Sequence, residues 1–227
     1  MIFLSKKNLF LAFIPLFLLT FLVSNSMNDD TLSGKVIIVD AGHGGVDSGA
    51  NRPGILEKDI NLAVAILVKN NLEHHQAKVI LSRTVDSDLS DDCDNQLIQG
   101  RWRRDLAARV ELVEEHQADL FISIHANVSP SPKSQGAEVF YAAQSSQSKL
   151  LADQLQKALN ALKKATRKAT KADYFVLRRN TVPTALIELG YLTNPKEKEL
   201  LLDPHYQYEL SDAIVQGILN YYMNNPS

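Results

Sequence analysis

A single cysteine stands in the 227 residues, so no internal disulfide can staple this chain, and its stability must come from core packing or a bound metal. Cys93 lies in Asp91-Asp92-Cys93-Asp94, where the neighbouring carboxylates disfavour a thiolate; the reading is an inert surface thiol rather than a nucleophile. Excess charge of one sign is also missing. With 24 Lys+Arg against 26 Asp+Glu and a formal charge of -2, the chain has no broad field for nucleic acid. The loop from Gly42 to Gly49 lacks G-x-G-x-x-G, and no Gly-Lys-Ser/Thr follows, which removes dinucleotide-binding and phosphate-loop readings. No internal repeat is visible, and the length suits one domain rather than two. With 45% apolar and 22% charged residues, the balance is that of a globular protein.

The first residues differ from the rest. Lys6 and Lys7 precede an apolar run from Leu9 to Val23, broken only by Pro15 and Thr20, and Ser24-Asn25-Ser26 follows. A positive segment before an apolar one reads as an export signal, and the run is shorter than the roughly 20 residues a comfortable membrane span needs. Residues 1–26 are therefore expected to be a signal peptide or signal anchor, 27–34 a linker and 35–227 the catalytic domain. The chain is expected to be exported, touching membrane only through that first segment.

Beyond it, short β-branched runs alternate with helical periodicity. Lys35–Asp40, Lys78–Ser82, Asp119–His125, Gly136–Ala142, a stretch around Tyr174–Leu177 and Thr184–Leu189 read as strands. Helices are expected after Glu57, from about Arg101 to His116, from Ser148 to Leu162 with Leu151, Leu155, Ala158, Leu159 and Leu162 on one stripe, and in two segments closing the chain. The expected fold is α/β, a single domain with a mostly parallel twisted sheet of about six strands and helices on both faces.

Three of these strands end in distinctive residues: the first just before His43, the third at His125, and the late one at Glu188, two residues before Gly190. Ligands of open α/β sheets sit beyond the carboxyl ends of strands, so parallel strands bring these three to one edge. Glu57 opens the helix that returns to it. Two imidazoles and a carboxylate make a tridentate zinc site with a fourth position left for water. A further carboxylate can serve as proton acceptor and donor in amide hydrolysis. Each residue also has a plainer account. His125 alone suits a core histidine, and Glu57 alone suits a helix first turn, worth a few tenths of a kcal/mol there. His43 sits among glycines with little around it to pack. Glu188 interrupts an apolar run, where an unpaired carboxylate is costly to bury. Chemistry leaves the two carboxylates interchangeable.

Four motifs then resemble one family. Val39-Asp40-Ala41-Gly42-His43-Gly44-Gly45-Val46-Asp47-Ser48-Gly49-Ala50, Leu56-Glu57-Lys58-Asp59, Ser123-Ile124-His125-Ala126-Asn127 and Ala185-Leu186-Ile187-Glu188-Leu189-Gly190-Tyr191-Leu192-Thr193-Asn194 are similar, in this order, to the zinc-dependent N-acetylmuramoyl-L-alanine amidases of the type 3 group. The resemblance implies zinc held by His43, Glu57 and His125, a catalytic Glu188, and peptidoglycan as substrate. The implied cut lies between the lactyl group of N-acetylmuramic acid and the L-alanine of the stem peptide. Ala41 stands where proline is common in the family, a change of loop stiffness more than of ligation.

Arg101-Trp102-Arg103-Arg104-Asp105 and Thr166-Arg167-Lys168-Ala169 are similar to the germination-specific, spore-cortex branch. That branch implies formation of muramic-δ-lactam, with a peptidoglycan deacetylase acting next and an activator protein as a further partner. No glycan-binding repeats are appended, and the segment from Leu81 to Arg101 is too short for a long autoinhibitory helix. Arg83 and Asn127 are secondary candidates for substrate contacts; Arg83 also suits pairing with Asp86 and Asp88, and Asn127 a turn before Pro130. The basic run from Lys163 to Lys171 reads as a solvated helix end. Two other functions compete: a zinc peptidase cutting within the stem peptide, and a non-catalytic wall-binding protein. The latter has no need for a buried Glu188.

Overall fold

The computed structural model describes residues 30–163 and 165–225; the expected signal segment, residues 1–26, lies outside them. A 3-10 turn at Asp30–Leu32 leads into β1 (Val36–Ala41), and the glycine-rich loop that follows carries a small antiparallel ribbon, β2 (Asn51–Arg52) and β3 (Ile55–Leu56). Next come α1 (Glu57–His74), β4 (Lys78–Leu81), α2 (Arg101–Glu115), β5 (Leu120–Asn127), β6 (Glu138–Tyr141) and α3 (Ser146–Lys163). The chain closes with β7 (Thr170–Lys171), α4 (Phe175–Arg179), β8 (Thr184–Tyr191), α5 (Pro195–Leu202) and α6 (Pro204–Asn224).

Six strands form one sheet in the order β4-β1-β5-β8-β6-β7. The first four run parallel, β6 is antiparallel to β8, and β7 is parallel to β6. The expected α/β fold, with its mostly parallel sheet of six strands, is the one observed. Parallel strands need crossover connections, and helices supply them on both faces.

Alternation along the strands sorts the faces. Ile37, Val39 and Ala41 of β1, Leu120, Ile122 and Ile124 of β5, and Ala185, Ile187 and Leu189 of β8 join one core with Val64, Val68 and Leu72 of α1, Leu151 and Leu155 of α3, and Ile214 and Ile218 of α6. The residues between them point the other way, as the two-residue period demands. Ile38, Phe121 and Leu186 form the second core with Val113 of α2 and with Val176 and Leu177 of α4. That second face holds only a few apolar residues at its centre. Further along it stand Asp40, Ser123, His125 and Glu188, polar side chains of the three central strands that share this parity.

Helix ends are specified locally. Asn194 accepts from the backbone N–H of Lys196 and Glu197, and Asp203 from that of His205, with proline at the first helical position in both cases. On the larger face α3 and α6 approach so closely that a Cβ on Gly217 would stand 2.8 Å from the Leu155 backbone. Leu32, in the segment read as a linker, is fully buried in that same core. Among the described residues no helix is long and apolar enough to cross a membrane.

Two local expectations are corrected. Tyr174–Leu177 is not a strand: Phe175–Arg179 is a short helix that buries Val176 and Leu177 and leaves its arginines outside. Cys93 is not a surface thiol but is 2% exposed. The Arg104 guanidinium donates to the carbonyls of Ser90, Cys93 and Asn95, folding the acidic loop back on α2. The thiol packs there with Leu89, Ala107 and Ala108.

Candidate metal centre

At the carboxyl end of β1 the chain turns through Gly42-His43-Gly44-Gly45, and His43 has φ 62, a left-handed conformation that costs a non-glycine residue about 1 kcal/mol or more. Its surroundings hold it there. Arg109 donates to the His43 carbonyl at 2.9 Å, while Asn61 and Arg83 donate to the Gly42 carbonyl at 3.1 and 3.2 Å. Two glycines make room for the rings: a Cβ on Gly42 would meet the His125 imidazole at 2.3 Å, and one on Gly49 would meet both His43 and Glu57 at 2.6 Å.

Three side chains converge over this turn. Glu57, the first residue of α1, lies with Oε1 3.1 Å from His43 Nε2 and 3.0 Å from His125 Nδ1. Candidate ligand atoms of the three lie within 4.8 Å of one another. The two rings meet edge to face, with centroids 4.9 Å apart. Asp47 Oδ2 sits 2.7 Å from His43 Nδ1, which leaves Nε2 facing the cluster; a carboxylate on the far ring nitrogen is how metal-ligating histidines are oriented. The Glu57 carboxylate is further fixed by the backbone N–H of Ala50 and of Ala126, at 2.8 and 3.2 Å.

Electrostatics agree with the geometry. Burial opposes a charge on His43, but Glu57 and Asp47 outweigh it through hydrogen bonds and charge and raise its pKa to about 9. Burial also opposes ionisation of Glu57, yet the two imidazoles hold its carboxyl below the usual carboxylate range. The cluster thus favours positive charge among its donors. Two imidazole nitrogens and a carboxylate oxygen are the ligand set that zinc accepts, so the residues fit the ion.

Glu188 is placed by the sheet. It is the register partner of His125 on the adjacent strand, so both project from the same face at the same height. Its Oε2 is buried and has no hydrogen-bond partner among the described residues. Burial raises its pKa to about 7; the histidines lower it and Glu57 raises it, and burial prevails. A carboxyl poised near neutrality beside three ligand donors is suited to pass protons in both directions. All four residues floor one cavity of about 880 Å³.

The two secondary candidates part ways. Asn127 lines the cavity, and its Oδ1 accepts from the Val128 N–H at 2.7 Å. Arg83 does not line it. It is 4% exposed and donates to the carbonyls of Ala41, Gly42, Lys58 and Val85, so it ties down the His43 loop.

Sequence reasoning missed the layer beneath the cluster. Asp40, Asp105 and Arg109 are all buried; Arg109 pairs with both carboxylates, and Ser123 Oγ donates to Asp40 Oδ2 at 2.7 Å. Asp40 carried the same signal as Glu188, a charge closing an apolar run, and Asp105 and Arg109 sit four apart on a helix, where opposite charges meet.

With this geometry in place, comparison with known proteins is decisive. The sequence model of a family described as N-acetylmuramoyl-L-alanine amidase matches residues 37–220. The germination-specific N-acetylmuramoyl-L-alanine amidase of Bacillus subtilis (strain 168) is 42% identical over 193 residues, which are 84% of this chain and 81% of that protein. In three dimensions the chain is similar to the CwlD amidase of Clostridioides difficile, solved in complex with the GerS lipoprotein, with a TM-score of 0.77 and 36% identity over 85% of this chain and all of that one. It is also similar to the catalytic domain of CwlV, an N-acetylmuramoyl-L-alanine amidase from Bacillus (Paenibacillus) polymyxa var. colistinus, with a TM-score of 0.71 and 34% identity over 83% of this chain and 98% of that one. Motifs, fold and relatives agree: the chain belongs to the N-acetylmuramoyl-L-alanine amidase family of cell-wall hydrolases.

Proposed function

We propose that this enzyme hydrolyses the amide between the lactyl group of N-acetylmuramic acid and L-alanine with zinc held by His43, Glu57 and His125, and with Glu188 as the catalytic carboxylate. One observation carries the reading: a partly buried carboxylate, one of its oxygens buried and unpartnered among the described residues, stands in register beside a converged pair of imidazoles and a second carboxylate held by two backbone amides. When bound, zinc supplies Lewis-acid polarisation of the amide carbonyl and acidifies water. Glu57 and Asp47 fix the histidine rings, and Arg109 fixes the His43 backbone. Glu188 takes the proton of the attacking water and returns it to the departing alanine nitrogen, a role that its raised pKa supports. The bonding of Glu57 to two rings and two backbone amides favours it as ligand and leaves Glu188 as the free base.

The similarity to a germination-specific amidase supports placing the activity in spore cortex, where peptide removal precedes deacetylation and muramic-δ-lactam formation. Export through residues 1–26 brings the domain to that substrate. Because the Clostridioides difficile CwlD amidase was solved with a lipoprotein, we propose an activating partner of that kind here. The test is to incubate the zinc-loaded protein with purified muropeptides and identify the new ends by mass spectrometry. Peptides beginning at L-alanine, together with peptide-free muramic acid, are expected; cuts between amino acids would sink the assignment.

A further inference from the structure

The chain's only tryptophan, Trp102, is 65% exposed on the first turn of α2. Water is a poor place for an indole, whose burial is among the largest apolar contributions a side chain can make. Its neighbours do structural work: Arg101 pairs with Asp88, Arg104 gathers loop carbonyls, and Asp105 holds Arg109. These bonds fix the helix end, and Trp102 stands on it with no hydrogen-bond or ring partner among the described residues. Leu97, 89% exposed, precedes it in the same segment. Both line the cavity whose floor is the His43, Glu57, His125 and Glu188 cluster, as do Ile98 and Gln99.

An exposed apolar patch that continues an active-site cavity marks a place where ligand is held. Resting on the amidase reading, the chemistry of that ligand follows from the bond cut. The acyl half of the scissile amide is a lactyl ether on a sugar, so a sugar ring lies just beyond the carbonyl and must touch a wall of this cavity. Sugars present a face of C–H groups that stacks on aromatic rings, and their N-acetyl and hydroxyl groups need neutral hydrogen-bonding partners, which Gln99 and Asn127 offer. Arg103 and Arg178 also line the cavity, but their charge suits the carboxylates of the stem peptide, not a neutral sugar. We propose that Trp102, with Leu97 and Ile98, is the platform on which an N-acetylated sugar ring of the glycan strand stacks.

The lone tryptophan reports its own occupancy. Peptide-free glycan strands added to the full chain should shift or quench its emission, and the free stem peptide should not. With glycan-linked muropeptides, Trp102→Ala should raise KM about tenfold, with kcat within about twofold of the parent, and Trp102→Phe should restore most of the loss. A lactoyl-peptide without the sugar should be cleaved equally by parent and variant. Emission that answers the peptide rather than the glycan overturns the platform, and so does an unchanged KM in Trp102→Ala. A variant altered only in self-association or in binding a lipoprotein overturns it too, making Trp102 an interface residue. Product ends are read separately: cuts within the peptide, with emission still answering glycan, would remove the amidase reading and leave the platform standing.

Discussion

Two charged groups lie side by side on one face of the sheet and are treated in opposite ways. Asp40, Asp105 and Arg109 form a buried network in which each carboxylate meets the guanidinium, and Ser123 supplies one more donor to Asp40. Burial again opposes ionisation of Asp40, but Arg109 and Ser123 hold its carboxyl below the usual range. Glu188 stands one row further along on β8, less enclosed than Asp40, with one buried oxygen left without a partner among the described residues and a pKa raised to about 7. The paired group is scaffold, and the unpaired one is available for proton transfer. Nothing in residue type separates them; the count of partners does.

The comparison breaks most sharply if Glu188 is dispensable. Glu188→Gln keeps shape and removes the titratable proton, so amidase turnover should fall about 10²–10⁴-fold, while zinc content measured by atomic absorption stays at the parent value. His43→Ala should instead lose the metal. A Glu188→Gln enzyme with near-parental turnover would make Glu188 another scaffold residue.

Removing Arg109 tests the opposite side. Arg109→Ala leaves Asp40 and Asp105 buried without their cation and frees the His43 carbonyl. Breaking one partner of a buried pair costs about 3–5 kcal/mol, and denaturant unfolding should show it. Folded Arg109→Ala should also bind zinc less tightly, since the left-handed turn at His43 loses a brace.

These contrasts explain what the sequence disclosed. β1, β5 and β8 are nearly continuous β-branched and leucine-rich runs, because a central parallel strand is buried on both faces, and their polar interruptions stood out as site residues. Partner counting is not visible in a chain: the signal that exposed Glu188 marked Asp40 equally, and only register and the reach of Arg109 separate them. Short elements were also opaque. The five residues of Phe175–Arg179 are too few to display a helical period, and Tyr174-Phe175-Val176 has the composition of a strand. The acids around Cys93 announced a surface loop, which Arg104, eleven residues away, folds inward.

pH offers a measurement on the fold alone. Glu188 holds its proton to about pH 7 in the folded chain, against 4.5 as the ordinary value. Between those values the folded chain binds more protons than the unfolded one, so stability falls as pH rises through that window and levels off above it. In chelator-treated protein the fall, taken as the difference from Glu188→Gln, should be on the order of 2–3 kcal/mol. The paired Asp40 works with the opposite sign, contributing stability that disappears as pH drops below the ordinary carboxylate range. A parent and a Glu188→Gln variant with parallel stability curves between pH 4.5 and 7 would mean that Glu188 is not buried as a neutral acid.

The smallest effect is expected at Ser123, and it sharpens the distinction most finely. Its hydroxyl donates only to Asp40 and reaches none of the ligand donors. Ser123→Ala therefore withdraws one donor from a carboxylate that keeps Arg109, at a cost of about 1–2 kcal/mol visible as a lower denaturation midpoint with an unchanged slope. Turnover, zinc content and the pH profile of activity should stay at parental values. The site then depends on the network for position alone, and one lost hydrogen bond within it leaves Arg109 seated on the His43 carbonyl. If Ser123→Ala instead altered the pH profile, the Asp40 network would belong to the proton path, and the boundary between the two carboxylates would have to be redrawn through it.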